Sequence, residues 1–166
     1  MKRFLTLLFV AALTSCGYHL GGLKSKAMEK MNTFSVSMFE NYTTYPNVSM
    51  QLTTALTDRL QRDGTYRLAS SDASDFTVQG SVRSVFASSL RTNSEDTYLS
   101  SEIGLTVVVH YRVIDNNTGK KITSGSVSEQ GSYFNDDGNV QTARDSALSY
   151  ATRKAAESIV QALTTP

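Results

Sequence analysis

The residues in this chain that could do chemistry are few. Its two histidines, His19 and His110, are the available imidazole bases, and neither has a neighbour in a recognisable nucleophile motif. The sequence contains no GxSxG, HExxH, Walker A loop or GxGxxG. Asp72 and Asp75, and the run Asp136-Asp137-Gly138, lack the ligand spacing of an EF-hand and read as solvated turns. A single cysteine, Cys16, excludes an intramolecular disulfide framework and a cysteine zinc site. The expectation is a protein that is not an enzyme and uses no cofactor or metal. Phosphate binding is the chemistry that remains, because Arg and Lys hold phosphates through charge-assisted hydrogen bonds. Lys120 and Lys121 sit at a hairpin, and Arg83, Arg91 and Arg112 lie on or at the ends of neighbouring strands, so a basic cluster could converge there. The competing reading is that basic residues at edges and turns discourage strand-to-strand aggregation.

Cys16 carries more information by its place than by its count. Lys2 and Arg3 form a positive head, residues 4–13 (FLTLLFVAAL) are apolar apart from Thr6, and Leu13-Thr14-Ser15-Cys16 follows. This is a secretory signal pattern, and its apolar run is far short of the ~20 residues that span a bilayer. The tetrapeptide resembles the bacterial lipobox, so residues 1–15 read as a lipoprotein signal peptide and Cys16 as the acylated new N-terminus. One acyl chain anchors a protein only marginally, and a diacylated cysteine meets the requirement for two. The next residue is Gly17 rather than Asp, which in the lipoproteins this start resembles favours export to the outer membrane. Under that reading the three Asn-x-Ser/Thr sequons at Asn41, Asn47 and Asn116 are chance matches.

Composition points to an unusual surface. Charged residues make up only 19% of the chain, against roughly 25% in soluble domains. Hydroxyls replace the missing charge, since 22 Ser and 19 Thr account for about a quarter of the 166 residues. The net charge of +1 offers no broad electrostatic reason to bind nucleic acid. Eight Tyr, seven Phe and only two Pro argue against disorder.

The elements that must position the basic residues follow from periodicity. Residues 16–31, with three glycines and three lysines, read as a lipidated tether that becomes ordered as it reaches a single domain over 32–166. Residues 33–39 alternate, placing Phe34, Val36 and Met38 on one face of a strand. Leu52, Ala55, Leu56 and Leu60 recur at helical spacing over 48–62, and Asp63-Gly64 supplies a stop. A short strand at 66–68 precedes a long one over 75–90, whose alternation breaks at Val85-Phe86 and implies a bulge there. After a turn at 92–96, Ile103, Leu105, Val107, Val109, Tyr111 and Val113 give the cleanest period-two run, a central strand. The sequence Asp115-Asn116-Asn117-Thr118-Gly119 is hairpin chemistry, returning a strand over 120–133. Past Asn135-Asp136-Asp137-Gly138, Leu148, Ala151, Ala155, Ile159 and Ala162 mark a second helix. The expected fold is α+β, β-α-β-β-β-α, a mostly antiparallel four-stranded sheet with both helices packed on one face.

These pieces together resemble the lipopolysaccharide-assembly lipoprotein family, LptE, the partner of the LptD outer-membrane barrel. The likeness is carried by Cys16-Gly17-Tyr18-His19-Leu20, the strand through Phe34 and Phe39, Leu56-Thr57-Asp58-Arg59-Leu60, Phe76-Thr77-Val78-Gln79-Gly80, the Thr118-Gly119-Lys120 hairpin and the long C-terminal helix. The resemblance implies a lipoprotein anchored through Cys16 on the periplasmic side of the outer membrane. It further implies a plug and assembly partner of an LptD-like barrel that aids passage of lipopolysaccharide to the cell surface without covalent chemistry. It would put Arg91, Arg112, Lys120 and Lys121 near lipid A phosphates. Two other classes compete. A lipoprotein activator of another periplasmic machine, such as a peptidoglycan synthase, would want a long spacer after the cysteine, whereas about fifteen residues are available here. A periplasmic hydrolase would need a clustered acid, base and nucleophile.

Overall fold

The computed structural model describes residues 24–92, 100–135 and 138–165. The signal segment, Cys16, His19, most of the turn expected at 92–96 and Asp136-Asp137 lie outside them.

The described chain forms six strands and two long helices. In chain order these are β1 (Thr33–Val36), β2 (Glu40–Asn41), α1 (Val48–Asp63), β3 (Arg67–Leu68), β4 (Phe76–Thr92), β5 (Ser100–Asp115), β6 (Lys121–Phe134) and α2 (Val140–Thr164). All six strands join one sheet in the order β3-β1-β4-β5-β6, with β2 also pairing β4. The β4–β5–β6 meander is antiparallel as expected, but β1 runs parallel to both β3 and β4, and β2 runs parallel to β4. The sheet is therefore mixed and six-stranded rather than mostly antiparallel and four-stranded.

One inserted residue explains part of the difference. Val36 pairs Val78 and Glu40 pairs Ser81, so the edge chain uses four steps where β4 uses three. The strand predicted over 33–39 therefore ends at Val36, a second strand, β2, starts at Glu40 just beyond it, and the extra residue between them inverts the side-chain parity. Met38, expected inside with Phe34 and Val36, is 63% exposed, and Phe39 is buried in its stead. Gly80 makes room for it, since a Cβ there would come within 2.7 Å of the Phe39 ring. In β4 the first register shift falls between Val82 and Ser84, not at Val85-Phe86. In α2 the last core contact is Leu163, while the expected Ala162 is exposed.

The core lies between the sheet and the two helices. Leu52, Leu56 and Leu60 of α1 and Leu148, Ala151, Ala155 and Ile159 of α2 pack with Phe34, Phe76, Val78, Val107 and Val109. Tyr66 meets Phe76 edge-on at 5.0 Å between ring centres, a favourable aromatic geometry. Small residues let α2 lie close, and Gly131 is where it comes closest, for a Cβ there would stand 2.2 Å from the Ala147 carbonyl oxygen. Gly64 ends α1 in the left-handed conformation (φ 76°), its N–H donating to the Leu60 carbonyl. Met28, within the expected tether, is also buried in this core.

Candidate functional site

Both helices cover the same face of the sheet, and among the described residues no helix or strand covers the opposite face. Alternation assigns the strand residues: Leu105, Val107, Val109 and Val113 point to the helices, so Thr106, Val108, His110 and Arg112 point away. Their register partners extend this face in rows. His110 lies between Ser81 and Ser126, Arg112 between Gln79 and Ser124, and Val108 between Ser84 and Ser128. Part of the hydroxyl excess of the sequence thus lies on this uncovered face.

A shallow groove of about 510 Å³ crosses this bare face near the hairpin end. Its cations are Arg112 and Lys121, with His110 beside them and Glu40 and Met38 on the β1–β2 side. Arg112 sits on a central strand, and its guanidinium donates to the Gln79 Oε1 at 3.2 Å, which holds it along the sheet. Lys121 opens β6 directly opposite Ile114. At the groove's outer margin Tyr42 donates to the Glu40 carboxylate at 2.7 Å, and the Arg83 guanidinium stacks 4.6 Å from the Tyr42 ring centre. The hydrogen bond to Glu40, reinforced by its negative charge, raises the Tyr42 phenol above its ordinary value.

Beside the groove, one step further toward the hairpin on the same face, a largely buried hydroxyl chain fixes the hairpin to β1. The Ser35 and Thr77 hydroxyls lie 2.8 Å apart, Ser74 donates to Ser35 at 2.9 Å, and Asn116 donates to the Ser74 hydroxyl at 2.7 Å while accepting from Thr77 at 2.9 Å. Asp115 shapes the turn by accepting the Asn117 and Thr118 N–H groups and the Thr118 hydroxyl. That hydroxyl foremost holds the Asp115 carboxyl below its ordinary value. Gly119 closes the turn at φ 68°, which completes the hairpin expected from its sequence.

The expected basic residues are only partly brought together. Arg112 and Lys121 share the groove. Lys120 stands one step beyond, where its carbonyl accepts the Asp115 N–H at 2.9 Å, and Arg83 is the residue skipped in the bulge between Val82 and Ser84. Arg91 pairs Glu102, ten residues along β5 from Arg112, a separation of roughly 33 Å. It does not belong to the same groove. Sequence reasoning missed Glu40 and Gln79. Gln79 was legible in principle as the alternate-parity residue between Val78 and Gly80, whereas Glu40 reaches the groove through the β1–β2 insertion. It also missed an apolar spot at the far end of the bare face, where Phe86, Leu90 and Phe134 each remain about half exposed.

No group of three or more metal-ligating side chains occurs among the described residues, and no helix there is long and apolar enough to cross a membrane.

A mixed sheet with two helices on one face and a bare polar face on the other defines a two-layer α+β domain, and solved bacterial structures share the fold. The PelC dodecamer from Paraburkholderia phytofirmans aligns with a TM-score of 0.57 at 17% identity, over 87% of this chain and 96% of that one. A minor lipoprotein from Acinetobacter baumannii aligns at 0.55 and 16%, over 81% and 93%. The rare lipoprotein B from Shewanella oneidensis aligns at 0.53 and 17%, over 79% and 92%. No curated protein matches the sequence. The lipopolysaccharide-assembly family model, LptE, matches residues 31–163, and the chain belongs to that family.

Proposed function

We propose that this chain is an outer-membrane lipoprotein, held on the periplasmic side through an acylated Cys16 and the segment 16–31, that acts as plug and assembly partner of an LptD-like β-barrel. The observation that carries this reading is the bare sheet face dressed in Ser, Thr and Gln. Barrel interiors of this kind are polar and water-lined. Neutral hydroxyls can exchange hydrogen bonds there without the desolvation cost of burying charges. Family membership supports the assembly role. The work is binding and positioning, with no bond made or broken by the protein.

Lipopolysaccharide is the ligand we assign to the groove. Arg112 and Lys121 supply two cations, with the Glu40 carboxylate on the β1–β2 side of the same groove, and each cation can form a charge-assisted hydrogen bond to a lipid A phosphate. Lys120 is placed to add a third. Arg91 stands outside the groove and is not part of this assignment.

Photo-crosslinkers at Thr106 and His110, on the bare face, test the plug reading in intact envelopes. The expected result is capture of an outer-membrane β-barrel from these positions and not from Asp58 or Arg153 on the helix layer. Absence of a barrel among the products from either bare-face position, and from the detergent-solubilised complex, rejects it.

A further inference from the structure

The sheet ends differently at its two sides. Beyond Val82, β4 loses its parallel partners, and its outer edge there is interrupted by register shifts at Val82/Ser84, Ser89/Arg91 and Arg91/Thr92. Such bulges twist an edge away from further pairing. β6 is the other terminal strand. From Thr123 to Phe134 it follows β5 residue for residue with no shift. No strand covers its outer edge among the described residues, and Glu129 is the one charged residue from 122 to 134. That carboxylate is half-buried and already accepts from the Ser158 hydroxyl of α2 at 2.5 Å. A regular, uncharged edge of this length is a template for another strand.

The sequence of the edge indicates which strand. Residues 124–132 read Ser-Gly-Ser-Val-Ser-Glu-Gln-Gly-Ser. Turned about Ser128, Ser124 falls on Ser132, Gly125 on Gly131 and Ser126 on Gln130. The two glycines are already required within one molecule, because a Cβ at Gly125 would meet the Tyr111 hydroxyl oxygen at 2.7 Å and one at Gly131 would meet the Ala147 carbonyl. The exposed positions carry no such requirement. Ser124, Ser126, Ser128, Gln130 and Ser132 all lie exposed on the bare face, and these are the residues that mirror one another. An isologous contact demands this self-complementarity. We propose that β6 pairs antiparallel with β6 of a second copy about a two-fold axis at Ser128, joining two sheets into one. From 124 to 132 every cross-strand pair on the bare face is then hydroxyl to hydroxyl or hydroxyl to amide, with no like charges opposed, while on the helix side Val127 falls opposite Glu129. This inference stands apart from the barrel reading, and a dimer formed this way would shield the edge of the free protein.

Cysteine scanning of the full chain in detergent tests the register. Residues directly opposite in an antiparallel pair have Cα atoms about 4.5–5.5 Å apart, within disulfide range. Ser128→Cys should therefore give a disulfide-linked dimer under mild oxidation. Ser124→Cys alone should not, since its two copies would be about 27 Å apart, but mixed with Ser132→Cys it should crosslink. The unsubstituted chain reports any contribution of Cys16. Ser128→Lys places two ammonium groups face to face and should raise the dimer dissociation constant at least tenfold, with an unchanged circular dichroism spectrum. A Ser128→Cys chain that crosslinks no better than Ser124→Cys overturns the proposal, as does one captured by a different protein instead of its own copy.

Discussion

The two faces of this sheet are made by the same strands and alternate residue by residue, yet they are built to opposite rules. On the helix side, Phe34, Leu52, Leu56, Val107 and Ile159 are fully buried, and small residues bring α2 into contact. On the bare side the alternate positions of β4, β5 and β6 carry Ser, Thr, Gln, His110 and Arg112. The helix face has one occupant and one arrangement, so its side chains are chosen for shape and apolar area. Apart from its hairpin end, the bare face is covered by no element among the described residues, and many of its side chains are polar groups that can exchange hydrogen bonds with water or another molecule. Stability resides in the first, and the proposed partner contacts lie on the second, a division that can be broken experimentally from either side.

The largest effect is expected on the helix face. Leu56→Ala removes a fully buried side chain at the junction of α1 with the sheet and should destabilise the fold by about 2–5 kcal/mol, read as a lower denaturation midpoint in urea. A cost under about 1 kcal/mol would mean that the α1 layer is not packed as described. Next comes the one place where the bare face has an interior. Asn116→Ala removes the hydrogen bonds that tie the hairpin to the hydroxyl chain through Ser74 and Thr77, at about 0.5–1.5 kcal/mol for each bond lost. Thermal melts of this variant should fall between those of Leu56→Ala and the parent.

Acid sensitivity gives a smaller, signed effect at the same end. The Asp75 carboxylate accepts the Asn32 and Thr33 backbone N–H groups at 2.8 and 2.9 Å, and the first of these does most to hold its carboxyl below the ordinary value. A group depressed in the folded state contributes stability above its unfolded pKa and loses it as pH falls through the folded one. Stability should therefore drop between about pH 5 and pH 2 more steeply in the parent than in Asp75→Asn, whose amide oxygen can still accept but does not titrate. Parallel slopes in urea titrations across that range would remove Asp75 from the account.

Most of the element plan was legible in the chain because periodicity reports burial. The 3.6 period of Leu52, Leu56 and Leu60 and the strict alternation of 103–113 both mark residues that face the helix–sheet core. The sheet's parallel edge was harder to see. A single inserted residue between Val36 and Glu40 exchanges Met38 for Phe39, and no local signal distinguishes two adjacent apolar residues that differ only in which face they reach. β3 is two residues long and takes its place from pairing with β1, a contact between segments more than thirty residues apart. The candidate basic residues were legible by type but not by position. Arg91 and Arg112 look equivalent along the sequence, and the antiparallel register alone places them ten residues apart on the ladder.

That separation supports the most discriminating test of the two-face division, and the one with the least effect on stability. Arg112→Gln with Lys121→Gln neutralises both groove cations while keeping length and polarity, and both residues are exposed. Surface changes of this kind usually leave stability within about 0.5 kcal/mol, so the melting curve should coincide with the parent's. Hydrogen bonds to charged groups contribute about 1.5–3 kcal/mol each, so binding of purified lipopolysaccharide should weaken tenfold or more if these two groups hold its phosphates. Arg91→Gln is the matched control, one cation of the same type on the same sheet but outside the groove. Equal losses from both variants would show that charge anywhere on the chain is sufficient. A loss confined to the Arg112 and Lys121 pair would tie recognition to the groove where these two cations sit. Unchanged binding in both would return all of these residues to the role of surface charges that keep strands from aggregating.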